Sequence, residues 1–139
     1  MKAEFTLDLT ATHIEFVSGS AFGDAFSAIG STVSVKMLGQ DGDDTLTAGD
    51  FADEIYGGNG ADTISGGAGN DFLSGGADTD VFVFDESWGD DKILDFDASS
   101  ETIDLSSLGI AYADLTISVF NTINTIVEYA GNSILLIYV

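Results

Sequence analysis

The chain has 139 residues, of which 24 are Asp or Glu and three are Lys (Lys2, Lys36, Lys92), with no Arg, for a formal charge of −21. Such an acidic surface repels phosphate backbones and anionic membranes, so nucleic acid is excluded as a partner, and the compact state needs cations to offset its self-repulsion. Hydrophobic residues make up 45% of the chain and include ten Phe, which excludes a disordered polymer, while the lack of cysteine excludes disulfides and thiolate-bound zinc.

The first predicted element lies in "MKAEFTLDLTATHIEF", where Phe5, Leu7 and Leu9 alternate as on one face of a strand. A signal peptide would instead need an unbroken apolar stretch. Strands within residues 4–17 are expected to cover one end of whatever follows. The single histidine, His13, has no neighbouring base and nucleophile spacing and reads as structural.

From Gly19 the chain falls into ninefold repetition: GSAFGDAFS, then GQDGDDTLT from Gly39, AGDFADEIY from Ala48, GGNGADTIS from Gly57, GGAGNDFLS from Gly66 and GGADTDVFV from Gly75. Position six is always Asp (Asp24, Asp44, Asp53, Asp62, Asp71, Asp80). Position eight is always apolar (Phe26, Leu46, Ile55, Ile64, Leu73, Phe82). The intervening "AIGSTVSVKML" spans residues 28–38 and reads as a degenerate turn with a two-residue insertion.

Each letter has a physical reason. Glycine accepts positive φ without a Cβ clash, so Gly-Gly-x-Gly lets the chain turn tightly with its carbonyls pointing inward. The Asp adds carboxylate oxygens, and an all-oxygen donor set suits a hard cation, Ca²⁺ above all. Position eight is expected midway along a strand of three residues, pointing into a shared core. Two nines then complete one coil, with cations between turns eighteen residues apart.

Competing readings fail on spacing. Antiparallel hairpins at Asn59-Gly60 or Asp41-Gly42 need longer flanking strands. A helix–loop–helix calcium loop from Asp41 places Leu46 where Gly is required and Ala52 where Glu is required. A dinucleotide loop beginning Gly58-x-Gly60 has Thr63 in place of its third glycine.

After Phe84, "ADLTISV", "NTIVEYA" and "NSILLIYV" predict three strands, with Gly131-Asn132 turning between the last two. They are expected to close the far end of the stack, near Trp88 and Phe96. The longest apolar run, Ile134–Val139, is too short to span a bilayer. No H-E-x-x-H sequence occurs, and no hydroxyl has an evident activating base, so the chain reads as non-enzymatic.

The repeats resemble the RTX nonapeptide family, GGxGxDxUx, with full-consensus copies at Gly57 and Gly66. The flanks are similar too: "ATHIEFVSGSAFGDAFSA" resembles the lead-in to such arrays, and "DDKILDFDASSETIDLSSLG" resembles the stretch that follows them. The resemblance implies an all-β fold, a calcium-bound parallel β-roll, with capping segment 1–18, repeats 19–83 and cap 84–139. It further implies folding on Ca²⁺ outside the cell after export by type I secretion machinery, with residues 84–139 carrying the secretion signal and the module supporting export and stability of a larger secreted or surface protein.

Carried over residue by residue, the resemblance implies one site from Gly58, Gly60 and Asp62 with Gly75, Ala77 and Asp80. A second is implied from Gln40, Gly42 and Asp44 with Gly57, Asn59 and Asp62. On the opposite edge Gly49, Phe51 and Asp53 meet Gly66, Ala68 and Asp71. Asp24 is implied to bracket an ion with Asp44, and Asp91 or Asp95 to serve as late partners of Asp71 or Asp80. The alternative function is a ligand-binding module for a polysaccharide, as in alginate epimerases, or a surface-adhesion module. Three lysines make a poor basic groove, and position two runs Gln, Gly, Gly, Gly, Gly, which is no adhesive hydroxyl ladder.

Overall fold

The computed structural model describes residues 6–8, 15–119 and 124–138, so His13, Phe5 and Leu9 lie outside the described residues. Glycine pairs that break every helical turn and short β-rich triplets between them leave only strands and 3-10 turns among the described residues.

Among the described residues fourteen strands form two sheets. The first, six-stranded sheet holds β1 (Thr6–Asp8), β3 (Ala25–Ser27), β5 (Thr45–Thr47), β7 (Thr63–Ser65), β9 (Val81–Val83) and β11 (Thr102–Asp104), in that order. The second holds β2 (Phe16–Ser18), β4 (Lys36–Asp41), β6 (Glu54–Asn59), β8 (Phe72–Ala77), β10 (Asp90–Ile93), β14 (Asn132–Leu136), β13 (Thr125–Tyr129) and β12 (Thr116–Val119). Through β11 the chain alternates between the sheets and all neighbours are parallel, which makes the fold a parallel β-roll with two nonapeptides per coil. Register confirms the period: Met37, Ile55 and Leu73 align across β4–β6–β8, and Leu46, Ile64 and Phe82 across β5–β7–β9.

Position eight forms the core. Phe26, Met37, Leu46, Ile55, Ile64, Leu73, Phe82 and Ile93 are each at most 2% exposed. Burying each such side chain contributes about 1.5–3 kcal/mol. The degenerate segment fits this scheme: Met37 takes the core position and Val35 stands where other turns hold Asp, in register with Asp53.

Strand length departs from expectation on one side. The first sheet has the predicted three-residue strands, but β4, β6 and β8 run for six, because positions one to three of the following repeat extend the ladder, pairing Gln40, Gly58 and Gly76. The parallel coil also continues past Val83, through β10 and β11.

Beyond β11 the three expected strands form an antiparallel meander, joined to the coil where β14 lies parallel to β10. The tight turn is Ala130–Gly131 (φ 51° and 89°), one residue earlier than expected, since Tyr129 pairs with Asn132 and both central residues of such a turn need positive φ. Aromatic packing seals this junction: Trp88 stacks on Tyr129 with centroids 6.3 Å apart and meets Phe84 edge-on, and Phe96 lies between Phe82 and Tyr138.

Candidate metal centre

Each position-six residue sits just before a strand, so its backbone belongs to the ladder. Its carbonyl accepts the N–H of the strand's first residue in the next coil, as in Thr63 to Asp44 (2.8 Å) and Val81 to Asp62 (2.8 Å). Anchored this way, the carboxylates turn inward and stack in two rows, one at each junction between the sheets. Asp24, Asp44, Asp62 and Asp80 form the first; Asp53, Asp71 and Asp91 form the second. All seven are at most 3% exposed.

Within a row, one oxygen of each carboxylate after Asp24 is engaged by the coil before it. The Asp44 N–H donates to Asp62 Oδ1 (2.8 Å) and the Asp62 N–H to Asp80 Oδ1 (2.9 Å). The second row repeats this with Asp53 to Asp71 Oδ1 and Asp71 to Asp91 Oδ1, both 2.8 Å. Asp24 donates in the same way to Asp44 Oδ1 (2.7 Å).

The other oxygen is different. Oδ2 of Asp44, Asp62, Asp71, Asp80 and Asp91 is buried without any hydrogen-bond partner. Leaving a carboxylate oxygen so costs about 1–3 kcal/mol or more, and the consequence appears in the proton equilibria. Burial raises the carboxyl of Asp44 to about 6, Asp71 to about 6, Asp62 to about 7 and Asp91 to about 8. Asp53 and Asp80 are also raised by burial.

In four of these five turns a glycine at position one makes room for that oxygen; in the turn of Asp91 that position is Glu86. A Cβ added to Gly57 would collide with Asp62 Oδ2 and stand 2.6 Å from the Gly75 carbonyl; Gly39, Gly66 and Gly75 face Oδ2 of Asp44, Asp71 and Asp80 in the same manner. The unmet oxygen of Asp62 therefore shares its space with the first carbonyl of the following coil. Positions two and four carry the positive φ that shapes the turn, at Gln40 and Gly42, Gly58 and Gly60, Gly67 and Gly69, and Gly76 and Asp78. Among the described residues no three His, Cys, Asp or Glu side chains converge on one point, so a cation there would take most of its oxygens from backbone carbonyls. A row of buried, unmet carboxylate oxygens beside carbonyls fits a hard divalent cation. Neither described lysine reaches the rows: Lys36 pairs with Glu54 and lies over Tyr56, and Lys92 lies over Phe72.

The expected site residues can now be placed. Gln40, Gly42, Asp44, Gly57, Gly58, Asn59, Gly60, Asp62, Gly75, Ala77 and Asp80 gather along the first row. There the Asn59 carbonyl accepts the Gly42 N–H (2.7 Å) and the Ala77 carbonyl the Gly60 N–H (3.2 Å). Gly49, Phe51, Asp53, Gly66, Ala68 and Asp71 lie along the second, where the Gly49 carbonyl accepts the Ala68 N–H (2.8 Å) and the Phe51 ring is 42% exposed. Of the two late candidates, Asp91 aligns with Asp71. Asp95 instead caps the end of the first row, accepting from Ser74 Oγ (2.6 Å), Gly76 N–H (3.0 Å) and Gly75 N–H (3.2 Å).

Sequence reasoning missed two features. Glu86–Leu94, ESWGDDKIL, is a further turn of the array, with positive φ at Ser87 (69°) and Gly89 (89°), Asp91 at position six and Ile93 in the core. Glu101, 9% exposed and raised by burial to about 7, stands in register above Asp80, since Thr102 pairs with Val81. The signal was present in Glu101-Thr102-Ile103, which repeats the pattern of Asp62-Thr63-Ile64.

The profile of the RTX calcium-binding nonapeptide repeat (four copies) matches residues 38–73 and 56–86. Among solved structures, the AlgE6R3 subunit of the Azotobacter vinelandii mannuronan C5-epimerase is 32% identical over 85% of this chain and 72% of that one, with a TM-score of 0.45. The chain belongs to the RTX calcium-binding repeat family. No curated protein matches it. The all-β parallel roll of this RTX chain is established by its own strand order, and its repeats are of the calcium-binding type.

Proposed function

We propose that this RTX module is a calcium-dependent folding unit in which the two carboxylate rows are the ligand rows. The observation that carries the reading is the set of five buried Oδ2 atoms with no partner, each in the same place in its turn. Asp44 and Asp62 hold cations together with Gln40, Gly42, Gly57 and Asn59, and Asp62 and Asp80 with Gly58, Gly60, Gly75 and Ala77. Asp71 and Asp91 serve the second row, and Asp95 with Glu101 closes the first beyond Asp80. When bound, Ca²⁺ supplies the positive charge that lets these carboxylates ionise while buried. The chain's own residues do the rest. Position-one glycines leave space for Oδ2, position-six N–H groups fix Oδ1, and position-eight side chains lock the coils together.

Repulsion along each row keeps the cation-free chain unfolded, and binding confined to the native state stabilises it by mass action. A chain with this switch stays threadable where calcium is scarce and folds where it is abundant. That property suits export through a type I machinery and the stabilising end of a larger extracellular or surface protein. No helix of the described residues is long and apolar enough to cross a membrane. Catalysis, if the larger protein has any, belongs to other parts of it. The test is secretion of a fused reporter with and without the unaltered rows: loss of export-coupled folding on replacing Asp44, Asp62 and Asp80 supports the role, and unchanged yield of folded external reporter rejects it.

A second reading, a polysaccharide-binding module, is favoured by one observation. Both described lysines lie on the outer face of the second sheet, each over an aromatic ring, Tyr56 at 4.8 Å and Phe72 at 4.9 Å. Retention on immobilised alginate that is lost in Lys36→Ala and Lys92→Ala tests it.

A further inference from the structure

The seven position-six aspartates are not equivalent, and position two of the turn separates them. In the turn that ends at Asp24, the backbone N–H of Ser20, its second residue, donates to Asp24 Oδ2 at 2.6 Å. In the turn that ends at Asp53, the N–H of Gly49, again the second residue, donates to Asp53 Oδ2 at 3.3 Å. Asp53 Oδ1 is engaged as well, by the Val35 N–H at 2.7 Å. These two turns close on themselves. In the other five, the second residue has a positive φ: Gln40 (89°), Gly58 (127°), Gly67 (86°), Gly76 (103°) and Ser87 (69°). Its N–H is not given to the turn's carboxylate, and Oδ2 of Asp44, Asp62, Asp71, Asp80 and Asp91 is left unmet. Residue type at position two does not draw this line, because Gly49 and Gly58 occupy that position and fall on opposite sides of it; position four does, with Phe22 and Phe51 in the closed turns and Gly42, Gly60, Gly69, Asp78 and Gly89, all at positive φ, in the open ones.

We infer that position two decides which turns take calcium. The turns closing on Asp24 and Asp53 are held by their own backbone and take none, so the second row begins at Asp71 and runs into the turn Glu86–Leu94. The inference rests on the reading that the rows bind calcium, and adds which members do so. Its physical basis is competition for one lone-pair region: an N–H already donated to Oδ2 occupies the direction a cation needs and satisfies the desolvated oxygen, so an ion gains less there. On the second row this moves the binding turns one coil toward the C-terminus, to a pair formed by Asp71 and Asp91. Their backbone partners include residues of ESWGDDKIL that carry a single glycine. The two cation-independent turns, at Asp24 and Asp53, thus lie toward the N-terminal side of the array, with the cation-dependent turn of Asp44 between them in the chain.

The experiment counts ions bound to the full chain at saturating calcium, by equilibrium dialysis and metal analysis, in the unaltered protein and in Asp24→Asn, Asp53→Asn and Asp91→Asn. Asparagine keeps one side-chain oxygen for a neighbouring N–H and removes the charge a cation needs; at Asp53, where Val35 and Gly49 donate to separate oxygens, the 2.7 Å bond from Val35 can be kept and the 3.3 Å bond from Gly49 is lost. Asp24→Asn and Asp53→Asn are expected to bind as many ions as the unaltered chain, and Asp91→Asn fewer. A drop in Asp53→Asn with no drop in Asp91→Asn overturns the inference. Calcium anomalous difference maps of crystals of the unaltered chain decide it without any variant: a peak between Asp71 and Asp91 and none between Asp53 and Asp71 supports it, and the reverse overturns it. An unaltered chain that takes up no calcium defeats the calcium reading itself, and this inference with it, a result distinct from either pattern.

Discussion

The backbone N–H of Asp62 donates to Oδ1 of Asp80 at 2.9 Å, across eighteen residues and one full coil, while Oδ2 of Asp62 is buried with no partner. One carboxylate thus serves two purposes. One oxygen fixes the stacking of coils, and the other waits for charge. Asp62 also stands between Asp44 and Asp80, so two inter-coil spaces depend on it. Asp62→Ala should therefore raise the calcium midpoint for folding by about tenfold or more, in line with the losses seen when metal-site residues are removed. Asp24→Ala should shift it less, since that carboxylate is closed by Ser20. Asp104→Ala should shift it least, because Asp104 ends β11 outside both rows and its carboxylate accepts the Ser106 N–H. Equal midpoints for the three variants, followed by circular dichroism, would count against the site map.

Acidity should act in opposite directions with and without calcium. Burial raises the carboxyls of Asp44 and Asp71 to about 6, Asp62 to about 7 and Asp91 to about 8, against about 3.9 in an unfolded chain. Between those values the folded, cation-free form holds more protons than the unfolded one, so its stability falls as pH rises through roughly 4 to 8. With chelator present, β-structure should be greater at about pH 5 than at about pH 8. With calcium the order should invert, because binding displaces the same protons. A chelated chain more stable at the higher pH contradicts the account.

Gly57→Ala tests the steric half of the site. The added methyl would meet Asp62 Oδ2, on a carboxylate fixed through Oδ1 by the Asp44 N–H, and the Gly75 carbonyl of β8. The expected result is a higher calcium requirement together with a loss of thermal stability of about 1–3 kcal/mol, as for an overpacked core. Gly30→Ala is the control for strain alone, since Gly30 has positive φ (83°) and nothing within 4 Å of an added Cβ. A Gly57→Ala chain that matches Gly30→Ala in calcium requirement would show that the space beside Asp62 is not needed.

The C-terminal meander should act as the nucleus for the stack. Ile134 and Leu136 are buried and β14 lies beside β10, so removing residues 110–139 bares one side of β10 and the Trp88 face that Tyr129 covers. That deletion should abolish calcium-dependent folding or sharply raise the calcium it needs, whereas removal of residues 1–17 should be milder. The emission of Trp88, the one tryptophan, reports both. Equal calcium midpoints for the full chain and the C-terminal deletion would place the nucleus elsewhere.

How legible this was in the sequence depended on the period. From Gly39 to Val83 the ninefold count never slips, so the Asp at position six and the core residue at position eight could be read directly, as could the alternation of parallel strands. Legibility failed where residues were inserted. Phe84 and Asp85 shift the count by two, and Glu86 and Ser87 replace the glycine pair, which hid the turn around Asp91. One further inserted residue, which sets Glu101 ten and not nine positions after Asp91, hid Glu101. The six-residue strands were unreadable for another reason: glycines such as Gly57 and Gly58 signal a turn, yet the stacked coils recruit them into the ladder. Position two alone did not separate Asp53 from Asp62, since Gly49 and Gly58 differ only in φ; the legible mark was position four, Phe51 against Gly60, which the closed turn of Asp24 shares through Phe22.

The most direct measurement is a calcium titration of the unaltered full chain followed together by far-ultraviolet circular dichroism and by counting bound ions. The account predicts a disordered spectrum in chelator and a cooperative rise of β-structure at millimolar calcium or below, in step with ion uptake and with no comparable response to magnesium, which tolerates irregular carbonyl-rich sites poorly. A chelated chain with the same spectrum and the same melting temperature as the calcium-loaded chain would contradict it.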